Sequence, residues 1–268
     1  MKLYIDPTGG MAGDMFAAAL ISAGADKTQM LAAMLQAAEK LGPDSVKQSL
    51  TNDGAVRLHM EVDHKHGHLS GHDAWHLLDD LFKDLSITEP YRSFGFKALK
   101  ILVDAEIKAH KENSFLTDHI HAHNPDHGQH QHDENHSHTH PKEEAFLHEA
   151  QDILIDITGA VMGLQLLDAP VKAHLLSEVS LGGGHITFSH GHLPVPAPAT
   201  KTIFDTFNLP GVPGPIKTEL CTPTGSAILA ALEATLLEEE HRLVIKEGRS
   251  RGGMDLPIPP LRIILSES

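Results

Sequence analysis

Cysteine is nearly absent from this chain: Cys221 is the only one in 268 residues. An internal disulfide and every multi-cysteine zinc or iron–sulfur site are thereby excluded, so any bound metal must sit on nitrogen and oxygen. No apolar run approaches the roughly 20 residues needed to cross a bilayer. The opening MKLYID enters a strand pattern directly, without the basic and apolar regions of a secretory leader. The expectation is a cytoplasmic protein with no membrane partner. Basic residues are few: 21 Lys and Arg against 36 Asp and Glu give a formal charge of −15 with histidines neutral. That balance repels a phosphate backbone and argues against nucleic acid as a partner. The G-x-S-x-G elbow and the H-E-x-x-H zinc motif are also missing, and no second histidine follows His148-Glu149 at zinc spacing.

What the chain has in excess is histidine. His119, His121, His123, His127, His130, His132, His136, His138 and His140 put nine imidazoles into twenty-two residues, interleaved with Asp118, Asp126, Asp133 and Glu134. Neutral imidazole is the commonest ligand for divalent transition metals, and a tract of this kind satisfies several coordination geometries without a preformed cage. A second set, His64, His66, His68, His72 and His76, supports the same reading. The competing explanation is a disordered polar loop whose histidines only buffer pH. The ligand set favours nickel, copper, cobalt or zinc over magnesium or calcium.

With 41% hydrophobic residues the chain is long enough for a proper core. Leu3 to Asp6 reads as a strand, PTGGMAG as a glycine loop, and Asp14 to Ile21 as a helix; KTQMLAAMLQAAEKL is a second helix stopping at Gly42-Pro43. From Ala55, Val56, Leu58, Met60 and Val62 alternate with Arg57, His59, Glu61 and Asp63, which predicts a half-buried strand. Helices are expected over about 73–85 and 91–111. A longer helix is expected through EEAFLHEAQDILIDITGAVMGLQLL, with short strand-like pieces near 172–179 and 185–189. Pro194, Pro196 and Pro198 hold LPVPAPAT extended, Thr200 reads as a helix cap, a last helix follows CTPTG, and LPIPPLRIIL closes as a strand. Strands and helices mix without a regular βαβ repeat, so the expected class is α+β, or irregular α/β. Residues 1–115 and 143–268 form one domain in this reading, and 116–142 a disordered His-rich loop.

Two places invite chemistry. On the helix after the tract, at 100° per residue from His148, Asp152 falls at about 40°, Asp156 at 80° and Glu149 at 100°, with Gly159 and Gly163 on the same stripe. The other faces are apolar, so the helix should be buried, and inward carboxylates need a cation, one another or proton chemistry. A solvated acidic face, or acids capping neighbouring loops, is the alternative. The second place is the opening loop, where Asp6 ends a strand and Gly9, Gly10 and Gly13 precede Asp14. Its backbone N–H groups suit a phosphate or carboxylate, although a plain tight turn capped by Asp14 explains the same residues. Thr222 and Thr224 of TPTG, with the LGGGH and SHGH loops, bring further hydroxyls and imidazoles to loops.

Several segments together resemble the LarC family of nickel insertion proteins. They are YIDPTGGMAGDM (4–15), the internal His-rich insertion, FLHEAQDILIDITGA (146–160), GHLPVPAPAT (191–200), ELCTPTGSAIL (219–229) and MDLPIPPLRIIL (254–265), in family order from end to end. The resemblance implies insertion of nickel into pyridinium-3,5-bisthiocarboxylic acid mononucleotide, a CTP-using reaction. Its product is the organometallic nickel-pincer cofactor handed to a lactate-racemase-type apoenzyme. It also implies that the tract gathers nickel and that His148, Glu149, Asp152 and Asp156 contribute to an inner, catalytic site. The loop of Asp6, Gly9, Gly10, Gly13 and Asp14, with Thr222 and Thr224, would take the acidic substrate. Full-length relatives continue into a C-terminal domain associated with CTP and Mn or Mg, which in some members is encoded separately. Here Pro7 and Thr8 replace the aromatic–serine pair usual in the opening loop. The chain is then a nickel insertase of the lyase or chelatase class or its N-terminal component; the alternative is a cytosolic nickel or zinc store or metallochaperone without catalysis.

Overall fold

A computed structural model describes residues 1–40, 45–61, 68–112, 146–148, 150–188, 191–237 and 243–267. Its frame is one mixed sheet whose strands are, from edge to edge, β11 (Thr235–Leu236), β6 (Ala173–Leu175), β1 (Lys2–Asp6), β13 (Leu261–Ser266), β12 (Val244–Ser250), β3 (Val56–Glu61) and β2 (Ser45–Leu50). Two-stranded ladders join β4 (His68–Ser70) to β5 (Phe146–His148), β7 (Val179–Ser180) to β10 (Gly211–Val212) and β8 (His185–Phe188) to β9 (Gly191–Pro194). The first and last strands meet at the centre: β1 runs antiparallel to β13, Ile5 opposite Ile263, and parallel to β6. Leu3, Tyr4 and Ile5 are all buried, as expected of a strand covered on both faces. On β3 the alternation holds, with Val56 and Leu58 buried and His59 and Glu61 exposed. This mixture of helices with a sheet of three antiparallel and three parallel pairings matches the expectation of α+β or irregular α/β.

Helix α1 (Gly13–Ser22) packs on β3, β12 and β13, and α5 (Ala150–Leu166) packs on α1. Around α5 are also α2 (Lys27–Glu39) and α4 (Tyr91–Glu112). From Ile153 to Leu164 every residue of α5 is buried, as its all-round apolar sequence requires. Close approach is possible because Gly159 and Gly163 face α1. A Cβ at Gly159 would stand 2.8 Å from that of Ala17, and one at Gly163 would stand 2.7 Å from Leu20. The glycines of the predicted stripe therefore admit a neighbouring helix.

Local signals set the remaining ends. Asp26 caps α2 by accepting from Gln29 N–H at 2.8 Å, and Ser70 caps α3 (Gly71–Asp84) through Asp73 N–H at 3.0 Å. Thr222 caps α7 (Pro223–Ala231), its hydroxyl accepting from Gly225 N–H at 3.2 Å.

Two expectations are corrected. Helix α6 (Pro198–Phe207) starts two residues before Thr200, because Pro198 suits the first helical position; Thr200 is buried inside it. The long helix after the tract begins only at Ala150. Before it, β5 (Phe146–His148) pairs antiparallel with β4 (His68–Ser70), placing the backbone of His148 opposite that of His68. Ladder pairing with a distant strand overrides local helix preference there, so His148 does not belong to the helical stripe. Among the described residues no helix is long and apolar enough to cross a membrane.

Candidate functional site

The opening loop and the CTPTG segment interlock at the end of the sheet. Met11 N–H donates to Leu220 O at 2.8 Å and Thr222 N–H to Met11 O at 3.1 Å, so the two segments pair through a parallel bridge at Met11 and Cys221. Gly10 takes φ +88°, and its N–H closes a turn onto Pro7 O at 2.8 Å. The N–H groups of Gly10 and Met11 are thus already used within the protein. Asp6 does similar structural work: its Oδ1 accepts from the Thr8 hydroxyl at 2.6 Å and the Ser177 hydroxyl at 3.1 Å. The starts of α1 and α7 are held side by side as a result.

A cavity of about 390 Å³ opens beside them, within the range of small-ligand sites. Gly9, Ala12 and Asp14 form one wall, residues 218–220 and Thr222 another, and the segment from Ser250 to Pro260 the third. Two guanidinium groups fix that third wall. Arg57 on β3 donates to Gly252 O at 2.7 Å and Asp255 Oδ1 at 2.6 Å. Arg251 donates to Ile258 O at 2.7 Å and Asp53 Oδ2 at 2.8 Å. The same contact holds the Asp53 carboxyl well below the usual carboxylate range. A ten-residue stretch without regular secondary structure is thereby given a fixed shape.

Three aspartates converge on the opposite wall. Asp14, in the first turn of α1, lines the cavity. Burial pushes its carboxyl up to about 6, and the charge of Asp152 adds to the rise. The Met15 N–H, its own N–H and the Arg57 charge pull the other way. Asp156 stands directly behind, against Gly13, where a Cβ would collide with its carboxyl group. It is buried, and among the described residues its Oδ1 has no hydrogen-bond partner. Burial first, then the charges of Asp14 and Asp152, raise it well above the ordinary range. Burial and the two neighbouring charges therefore favour the protonated form of Asp156, and they move the Asp14 carboxyl toward neutrality. Two such groups, one facing a cavity and one sealed behind it, make an arrangement for accepting and holding a proton.

Of the residues expected to bind an acidic ligand, Gly9, Asp14 and Thr222 line the cavity, whereas Asp6, Gly10, Gly13 and Thr224 support it from outside. Of the expected inner site, Asp152 and Asp156 join Asp14. The side chain of His148, the whole of Glu149, and all nine tract histidines from His119 to His140 lie outside the described residues. Among the described residues no group of three or more His, Cys, Asp or Glu side chains is arranged to hold a metal ion. Cys221 is buried beside Ser226 and its thiol is pushed up to about 12, so it stays a thiol. Arg57 and Arg251 were not singled out from sequence as site residues, and residues 254–260 of the wall entered only through the MDLPIPPLRIIL segment; the partners of the two arginines lie up to 198 residues away.

A family model described as nickel insertion protein matches residues 3–125 and 131–268. A relative from Methanothrix thermoacetophila, whose name also places it among nickel insertion proteins, is 31% identical over 99% of this chain and 59% of its own length. Pyridinium-3,5-bisthiocarboxylic acid mononucleotide nickel insertion proteins from Thermotoga sp. and Nocardioides sp. are 29% and 28% identical, over 96% and 94% of this chain and 59% and 56% of their own lengths. The chain thus spans about three fifths of the length of these curated relatives. No solved structure matches it.

Proposed function

The chain belongs to the nickel insertion protein family, and from that premise we propose that its cavity receives a pyridinium bisthiocarboxylate mononucleotide and that Asp14 takes up the proton which nickel displaces. An organometallic product contains a metal–carbon bond. When Ni²⁺ replaces hydrogen on a ring carbon, the C–H electron pair becomes the carbon–nickel bond and the proton must leave to a base. The observation that carries this reading is the Asp14–Asp156 pair. Asp14 faces the cavity with its carboxyl near 6, so at pH 7 about nine tenths of it is ionised and ready to accept a proton. Burial of Asp156 behind it favours that carboxyl's uncharged form, which would keep the local charge low.

In the same reading the cavity wall of Gly9 and Thr222 lies against the acidic substrate, and the Asp152 charge supports a divalent ion as it enters. His148 and Glu149, adjoining the start of α5, belong to the same inner site, and the nine tract histidines collect nickel from dilute solution. CTP and its Mn or Mg ion fall to the region of the relatives outside the match with this chain. The finished cofactor then passes to a lactate-racemase-type apoenzyme.

The test combines binding with chemistry. The chain, supplied with the mononucleotide, Ni²⁺, CTP, Mg²⁺ and the C-terminal domain of a full-length relative in trans, should insert nickel. Asp14→Asn should bind the mononucleotide within a few-fold of wild type yet insert at least about 100-fold more slowly, the usual scale for a lost general base. Insertion at an undiminished rate in Asp14→Asn would remove Asp14 from the reaction. A nickel store without catalysis would show uptake of the ion and no insertion in either protein.

A further inference from the structure

Away from the cavity, the first turns of α3 carry a pair of histidines one helical turn apart, His72 and His76, both exposed. Their Nε2 atoms are 3.2 Å apart and their ring centroids 4.4 Å apart, with the rings steeply inclined. We propose that His72 and His76 form a surface docking site for a borderline divalent transition-metal ion. The choice of nickel as its cargo rests on the insertion reading above; the existence of the site does not.

The spacing is the main argument. Two imidazole nitrogens about 2.0–2.1 Å from one metal, at adjacent positions 90–109° apart, are separated by about 2.9–3.4 Å. The observed 3.2 Å falls inside that window, so an ion enters without backbone movement. In the metal-free pair one Nε2 carries a hydrogen and the other accepts it; on metal binding the donor ring carries its proton on Nδ1 instead, so that both Nε2 lone pairs bond the ion. A helix holding two histidines at i and i+4 on one face is a recurrent way of presenting two ligands to one ion. The surroundings are acidic: Asp73 Oδ1 lies 3.9 Å from His72 Nδ1, and Asp79 senses the charge of His76. At that separation the Asp73 carboxylate acts as a nearby negative charge that favours a bound cation.

Two protein ligands leave the other positions to water, and no third ligand among the described residues completes a cage. Such a site captures an ion and releases it again, which suits transfer better than storage. Its place in the fold agrees. Helix α3 follows β4 directly, β4 pairs with β5, and β5 leads into the helix that carries Asp152 and Asp156; α3 also packs against that helix.

Trp75, the only tryptophan in the chain, lies between the two histidines in sequence, its ring stacked on Phe96 at 4.4 Å. It reports the site even though the chain has many other imidazoles. Titration of the full, tag-free chain with NiCl₂ should quench Trp75 emission saturably. Both His72→Ala and His76→Ala should shift the midpoint at least roughly tenfold upward, because the second bond of a bidentate site forms at high effective concentration. Replacing the nine tract histidines by glutamine should leave the early quench in place, and MgCl₂ should produce none. Absence of quenching in the wild type, or an unchanged midpoint in either single variant, overturns the proposal. Loss of the early quench in the tract variant alone overturns it too, since the tract would then be the ligand. No arm depends on insertion activity, so failure here and failure of the Asp14 reading are separately visible.

Discussion

Replacing Asp14 by asparagine should make the protein more stable at neutral pH, although Asp14 lines the proposed site. The folded carboxyl titrates near 6 instead of 3.8, chiefly because burial disfavours its charged form. Between those two values the folded state binds more protons than the unfolded state, so this group's contribution to stability falls as pH rises through that window. Below about pH 3.8 the carboxyl is protonated in both states and costs nothing; above about 6 the folded state carries the full penalty. Two pKa units correspond to about 3 kcal/mol. Because one edge of Asp14 meets the cavity, solvent there brings the expected figure nearer 2 kcal/mol. Asparagine removes the ionisable group while its carbonyl oxygen still accepts the Met15 N–H. Urea unfolding at pH 4 and pH 7.5 should show Asp14→Asn within about 0.5 kcal/mol of wild type at the acid pH and about 2 kcal/mol more stable at the higher one. Equal stability changes at the two pH values, or destabilisation that grows with pH, would refute the assignment of a raised carboxyl.

Other perturbations follow from the same contacts. Gly159→Ala puts a methyl group 2.8 Å from Ala17 Cβ and 3.0 Å from Met34 Sδ. Overpacking of about 2–3 kcal/mol, less about 1 kcal/mol regained in helix propensity, predicts a net loss of about 1–2 kcal/mol, readable by urea denaturation. Arg251→Ala removes the hydrogen bonds to Ile258 O and Asp53; amide hydrogen exchange across 252–260 should accelerate while that of β13 stays unchanged. Changing the nine tract histidines to glutamine should leave insertion intact at saturating nickel and raise the nickel concentration needed for half-maximal rate; abolished insertion at every nickel concentration would place the reacting ion in the tract itself.

Elements governed by local chemistry were legible in the sequence. The strand, glycine turn and helix of the first 22 residues, the alternation on β3, the helix after CTPTG and the buried α5 all follow from periodicity and turn chemistry within a few residues. What depended on distant partners was not. The ladder between β4 and β5 joins residues 76 to 80 positions apart and takes His148 out of the helix, where periodicity alone had placed it. The glycines near the start of α1 looked equally suited to cradling an anion. Their use became clear only from what they touch: Leu220 O fills the space beside Gly10, and the Asp156 carboxyl fills that beside Gly13. The two acids on α5 were legible as a buried stripe, but Asp14 could be joined to them only once α1 was seen to cross α5. The third cavity wall was legible only as part of the MDLPIPPLRIIL segment, because its irregular shape is set by the distant contacts of Arg57 and Arg251.

The pH dependence of single-turnover nickel insertion, measured with the mononucleotide saturating, tests the central claim most directly. If Asp14 is the proton acceptor, the wild-type rate rises with pH through a limb near 6 and levels above it, and Asp14→Asn is slow and flat over the same range. A limb near 6 that persists unchanged in Asp14→Asn would contradict the account.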